Sequence, residues 1–220
     1  MSNATQRLRV VGPGGPFEAM VECAEAFSWS RSVSVEVIKG PSERWLDRRA
    51  DLIYGGFPQM LAALAQDHPE ALDPNEIHEL YERRIGLLVR RGNPRHLLTL
   101  ADLADPDVQV LDVQLEQMEE FQDRVPGLRE RIAAKDATGE EGVRVWRARP
   151  ELDAWITFES WYRAMSSETG FIPLPEDIGA VRPTVIALMC WTAHRTLGLE
   201  FISFLRSPHA HEVFRRRGWL

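Results

Sequence analysis

The apolar positions of this chain change period several times, and each change marks an element. Leu8 to Val11 form a short apolar run halted by Gly12-Pro13-Gly14-Gly15-Pro16, after which Phe17, Met20, Val21, Ala24 and Phe27 recur at helical spacing. This predicts a strand, a tight loop and a helix. Pro16 suits the first helical turn, where a missing N–H costs nothing, and the glycines let backbone amides come close to a guest. Val33, Val35 and Val37 alternate with Ser34 and Glu36, which predicts a half-buried strand, then a Gly40-Pro41-Ser42 loop and a short helix through Trp45 and Leu46. Asp51 to Tyr54 reads as a third strand ending in Gly55-Gly56, before a helix carrying Met60, Leu61 and Leu64. Such a β-α-β-α-β-α rhythm implies a parallel sheet with right-handed crossovers, whose strand-end loops gather along one edge.

A second α/β unit follows. Arg83 to Arg90 contains the apolar run Ile85 to Val89, stopped by Arg91-Gly92-Asn93-Pro94. Thr99 can cap a short helix over Leu100 to Ala104, Val108 to Val113 reads as a strand, and Leu115 to Arg124 as a strongly charged helix. Beyond Ala137-Thr138-Gly139 the pattern predicts a helix through Val143 and Trp146, a strand from Asp153 to Thr157 and a helix around Trp161. Thr184 to Met189 is a last apolar strand, followed by a helix holding Leu199, Phe201, Ile202 and Leu205. Ser207-Pro208 then opens a terminal helix that Gly218 closes, with Ser207 as N-cap. The apolar strands at 85–89 and 184–189 bracket the middle unit and are natural crossing points between two lobes.

Composition narrows the function class. At 220 residues, with 44% hydrophobic and 27% charged residues, the chain has a globular profile and room for one large core or two modest ones. Its 33 acids against 26 bases give a net charge of −7, with no broad basic field to neutralise phosphates, so nucleic acid is not an expected partner. The basic run Arg215 to Arg217 suits a solvated last helical turn. Cys23 and Cys190 stand far apart with no second ligand nearby; both are expected as small buried side chains. No apolar stretch is long enough to cross a bilayer and no signal-peptide pattern opens the chain, so direct membrane insertion is not expected.

Catalytic signatures are missing. Gly12-Pro13-Gly14-Gly15 lacks GxGxxG spacing, and no P-loop, GxSxG elbow or HExxH occurs. The six histidines are scattered, with His209 and His211 two apart on a helix and so facing different directions. Asp51, Asp67 and His68 have ordinary structural readings. No enzyme activity, metal or cofactor is expected.

With the order of elements in place, several segments carry a resemblance. Val11-Gly12-Pro13-Gly14-Gly15-Pro16, Ala50-Asp51-Leu52-Ile53-Tyr54-Gly55, Arg90-Arg91-Gly92-Asn93-Pro94, Asp153-Ala154-Trp155-Ile156-Thr157, Phe201 to Pro208 and Arg217-Gly218-Trp219 together resemble the accessory-colonization-factor branch of the type 2 periplasmic solute-binding proteins. These are related to the molybdate and sulfate binders of ABC transporters. The resemblance runs through nearly the whole chain in order. It implies an α/β fold of two lobes, each a mixed or parallel sheet flanked by helices, joined by two hinge-crossing strands. Lobe one would span 1–84 plus 190–220 and lobe two 85–189. It further implies a monomeric solute-binding protein holding a molybdate- or sulfate-like oxyanion, or a polar organic ligand, in the cleft between lobes for ABC-type uptake in the periplasm. The missing leader pattern leaves the cytoplasm open as well, and with it an intracellular sensor or interaction protein that reuses the clamp without a transporter.

The positions matching the family's pocket are Gly14, Gly15 and Pro16, Ser42, Gly55 and Gly56, Thr138 and Gly139, and Trp155, Thr157 and Trp161. Backbone N–H groups at helix N-termini and neutral hydroxyls are what a buried oxyanion needs. Plainer roles exist for each: tight turns for the glycines, a helix cap for Ser42, core packing for the tryptophans. One segment departs from the family. After the strand at 108–113, relatives carry a loop rich in Gly and Ser/Thr, whereas this chain runs Gln114-Leu115-Glu116-Gln117-Met118-Glu119-Glu120. Acids that point inward there would repel an oxyanion.

Overall fold

The computed structural model describes residues 7–40, 45–46 and 49–220. In chain order, strand β1 (Arg7–Gly12) leads to helix α1 (Phe17–Arg31), β2 (Ser34–Lys39), β3 (Leu52–Gly55), α2 (Pro58–Asp67) and the long strand β4 (His78–Arg90). Then come β5 (Val110–Val113), the four-residue α3 (Glu119–Gln122), β6 (Ala134–Asp136), α4 (Gly139–Ala148), β7 (Ala154–Phe158), α5 (Glu159–Ala164), β8 (Thr169–Pro173) and β9 (Val181–Leu188). Helices α6 (Arg195–Phe204) and α7 (Pro208–Arg215) complete the chain. It divides into two compact units: residues 1–82 with 183–218 and Leu220, and residues 83–182 with Trp219. Strands β4 and β9 each run through the division.

In the first unit β1 is the hub. It pairs in parallel with β2 (Val10↔Val37) and with β3 (Val11↔Ile53), and β3 pairs antiparallel with β9 (Leu52↔Leu188). Period-two alternation sends Val11 and Ile53 into a core with Trp45, Leu61, Leu72 and Val185, while Leu8 and Val10 face the other way. Phe27 of α1 meets Phe201 edge to face at 5.2 Å between centroids, which ties α1 to α6. Ser207 caps α7 by accepting from the Ala210 N–H, Pro208 opens the helix, and Gly218 sits at φ 93°, as the terminal pattern predicts.

In the second unit β7 pairs in parallel with β5 and antiparallel with β4, β5 pairs in parallel with β6, and β8 pairs antiparallel with β4. Leu88, Leu111, Val113, Trp146, Leu152 and Trp155 fill its core. The Arg90 guanidinium, at the end of β4, lies 3.9 Å from the Trp146 ring centroid and donates to the carbonyls of Trp146, Arg149 and Leu152. It thereby satisfies the Trp146 carbonyl in the last turn of α4, which the helix itself leaves open, and ties down the connection to β7.

Several expectations are corrected. The segment 115–124 is not one helix: Gln114–Glu116 is a 3-10 turn, Gln117 takes a left-handed φ of 52°, and only the short α3 follows. The left-handed residue breaks the helical ladder and reverses the chain. Trp45 and Leu46 lie in a turn rather than a helix; the rest of that predicted helix falls outside the described residues. Cys190 is exposed rather than buried, and both cysteines are free thiols. Cys23 is buried as expected, and burial pushes its thiol up to about 12. Strands β6 and β8 had not been foreseen.

Candidate functional site

Parallel strands place their carboxyl ends, and the loops that follow, on one edge, which is where open α/β sheets hold ligands. In the first unit that edge carries the loops after β1 and β3. Gly14 and Gly15 form the turn into α1, with the Gly14 carbonyl accepting from Phe17 N–H at 3.1 Å. Pro16 stands at the N-cap of α1 rather than inside its first turn, and its carbonyl accepts from Met20 N–H. Neither Pro16 nor Phe57, the N-cap of α2, supplies a side-chain cap. Two neighbouring helices thus begin with amides that no side chain of the cap residue covers. Gly55 is buried in β3, and Gly56 N–H points to Met60 Sδ at 3.3 Å. Gly12 holds the two loops together, since a Cβ there would meet the Tyr54 carbonyl oxygen at 2.5 Å and the Tyr54 ring at 2.7 Å. Ser42 lies outside the described residues.

In the second unit the carboxyl edge of β5, β6 and β7 carries the other predicted residues. Thr138 caps α4 in a reciprocal box: its Oγ1 accepts from Glu141 N–H, and its own N–H and hydroxyl donate to the Glu141 carboxylate at 3.1 and 3.0 Å. Those Thr138 hydrogen bonds hold the Glu141 carboxyl below its usual range. Gly139 is required by Trp161, because a Cβ would lie 2.1 Å from Trp161 Cζ2. Trp155 is fully buried and stacks with Trp161 at 6.2 Å between centroids.

What gathers these residues is Glu116, in the turn after β5. Its Oε2 accepts from the buried Thr157 hydroxyl at 2.7 Å and its Oε1 from the Trp161 indole N–H at 2.6 Å. The Trp155 indole N–H, buried and outside hydrogen-bond geometry to any acceptor among the described residues, lies close enough to add a weaker pull. Arg182 donates to the carbonyls of Glu116 and Gln117 and pairs with the Glu120 carboxylate at 2.5 Å, fixing the turn. Arg83 is buried with its guanidinium 3.7 Å from the Phe158 ring centroid and 5.2 Å from that of Trp219. Burial pushes the Glu116 carboxyl up to about 7, against the hydrogen bonds from Thr157 and Trp161 and the attraction of Arg83. Burial likewise brings Arg83 down to about 9, offset in part by Glu116.

The predicted residues Thr157 and Trp161 therefore converge, yet on a carboxylate of the chain itself. Asp51 is structural, accepting from the Arg9 N–H and the Thr192 hydroxyl. His211 stacks on Tyr81 at 4.9 Å. Among the described residues no group of three or more His, Cys, Asp or Glu is placed to hold a metal ion, and no helix is long and apolar enough to cross a membrane. Glu116 and Arg83 were not predicted as site residues. The signal for Glu116 was the departure of its segment from the family pattern; a lone arginine opening an apolar strand gave none for Arg83.

The fold matches solved structures along nearly its full length. PEB3 from Campylobacter jejuni shares 26% identity at a TM-score of 0.77, covering 96% of this chain and 98% of that one; the same protein with L-phospholactate bound superposes at 0.78. The periplasmic molybdate-binding protein of Azotobacter vinelandii, at 12% identity and a TM-score of 0.70 over 97% of this chain and 98% of that one, shares the fold. So does the sulfate-binding protein SubI of Mycobacterium tuberculosis, at 15%, 0.73, 97% and 86%. Among curated proteins none matches. These neighbours are binding proteins of the type 2 periplasmic fold rather than enzymes, and the profile of the bacterial extracellular solute-binding proteins matches residues 8–220. The chain belongs to the bacterial extracellular solute-binding protein family.

Proposed function

We propose that this chain is the ligand-binding component of an ABC-type uptake system working in the periplasm, and that its ligand is a small organic molecule bearing an anionic phosphate or carboxylate group. The observation that carries this reading is the pair of helices α1 and α2, which start at the carboxyl ends of the paired parallel strands β1 and β3 without a side-chain cap. Helix N-termini carry the positive end of the dipole, so two at the ends of adjacent strands favour an anion. Gly14, Gly15 and Gly56 allow close backbone approach there. The phosphorylated hydroxy acid bound by PEB3 supports this ligand class, and the ordered motifs of the sequence support the accessory-colonization-factor-like branch.

A ligand that binds only the native state raises its melting temperature, by an amount worth about 2.7 kcal/mol at a hundredfold excess over Kd. The test is a thermal-shift series with L-phospholactate, simple hydroxy acids, phosphate, sulfate and molybdate, followed by calorimetric titration of any responder. A rise of several degrees with a phosphorylated or carboxylic ligand is expected. A flat response to all of them overturns the reading.

A further inference from the structure

We infer that Glu116 is a resident stand-in for an anion: its carboxyl group sits where an incoming oxyanion would take the Thr157 hydroxyl and the Trp161 indole N–H, so the second unit turns away small free dianions such as sulfate and molybdate. The inference rests on the reading of the strand-end loops as a ligand site. It concerns the strand-end loops of the second unit alone.

Place is the first support. The turn after β5, the end of β7 and the start of α4 lie on the carboxyl edge of parallel strands, since β5 pairs in parallel with both β6 and β7. Chemistry is the second. Each carboxylate oxygen receives one directed donor, at 2.7 Å from Thr157 and 2.6 Å from Trp161, as two oxygens of a tetrahedral oxyanion would. The buried Trp155 N–H near the same carboxylate makes no hydrogen bond of proper geometry, so a third donor stands beside the two in use.

Construction of the turn is the third support. The left-handed Gln117 reverses the chain directly after Glu116, leaving Glu119 and Glu120 exposed while Glu116 is 6% exposed. Arg182 clamps the carbonyls of Glu116 and Gln117 and also Glu120, and Arg83 supplies a buried positive charge that attracts the carboxylate. An external dianion would have to displace a tethered carboxyl group or, where that group is ionised, sit against its charge, and either is unfavourable.

The test compares wild type, Glu116→Ala and Glu116→Gln by thermal shift in sulfate or molybdate against chloride of equal ionic strength. Wild type and Glu116→Gln stay flat, because a side chain of the same shape still fills the place. Glu116→Ala rises by several degrees in sulfate, and adding Thr157→Val to it removes the rise. A folded Glu116→Ala that stays flat overturns the inference, as does a sulfate response of Glu116→Gln equal to that of Glu116→Ala. If Glu116→Ala does not fold in plain buffer, recovery in sulfate but not in chloride supports the inference, and no recovery in either overturns it. Wild type that responds to L-phospholactate beside a flat Glu116→Ala leaves the proposed function standing without this selectivity. Wild type flat to every ligand beside a sulfate-responsive Glu116→Ala does the reverse.

Discussion

The Trp161 indole N–H donates to Glu116 Oε1 over 2.6 Å, joining a strand-end turn to helix α5 across 45 positions of sequence. Burial works against a charge on that carboxyl group, while Thr157, Trp161 and Arg83 favour one.

The charge itself should be visible in stability. The Glu116 carboxyl is raised by burial from 4.5 to about 7, so the folded protein binds more protons than the unfolded chain between those values. Its contribution is fully present below the unfolded value and is lost as pH rises through the folded one, a difference on the order of 3 kcal/mol. Thermal melts across this range should show wild type losing stability relative to Glu116→Gln as pH rises. Parallel curves would remove Glu116 as the titrating group.

Arg83 is the counter-charge and a packing element at once, held over Phe158 and beside Trp219. Arg83→Ala should cost roughly 2–5 kcal/mol in urea unfolding, because it empties the buried space against Phe158 and Trp219 and removes a charge that attracts Glu116. Arg83→Met, which keeps much of the volume, should cost less. Both should move the Glu116 midpoint upward, as read from pH-dependent tryptophan fluorescence.

Gly139→Ala should destabilise by about 1–3 kcal/mol, since its Cβ would fall 2.1 Å from Trp161 Cζ2 and the ring must give way. In a Trp161→Ala background the same substitution should be nearly neutral. Equal costs in both backgrounds, measured by denaturant midpoints, would mean the ring is not what the glycine accommodates.

Arg90 reaches three carbonyls from one guanidinium, and an ammonium cannot reproduce that planar fork. Arg90→Lys should therefore lose about 1–3 kcal/mol, with hydrogen exchange accelerating first at the end of α4. Uniform acceleration throughout the chain would argue against a local role.

The first strand, loop and helix were legible because Leu8, Val10, Met20 and Phe27 keep clean periods and glycine punctuates them. β6 and β8 were not, because Ala134-Lys135-Asp136 is three residues long and mixed in character, and Thr169 to Pro173 contains glycine and proline. The error at 115–124 has a specific cause. Leu115, Met118 and Phe121 sit at helical spacing, but Glu116 is drawn inward by donors 41 and 45 positions away, and no local pattern carries such partners. Thr157 and Trp161 were named from the order of motifs, while the acceptor they share was visible only as a residue out of keeping with its relatives.

The pairing of β3 with β9 has a consequence for how the protein is made. Leu52 and Leu188 face each other in the register, so during synthesis β3 waits for its neighbour while the whole intervening stretch is translated. At about 5–20 residues per second that delay is roughly seven to thirty seconds. Throughout it, one side of an apolar strand offers unpaired N–H and C=O groups to any other nascent chain. A strand buried along its whole length in the finished protein thus has a long exposure on the ribosome, and holding chaperones or slow export would act on that interval.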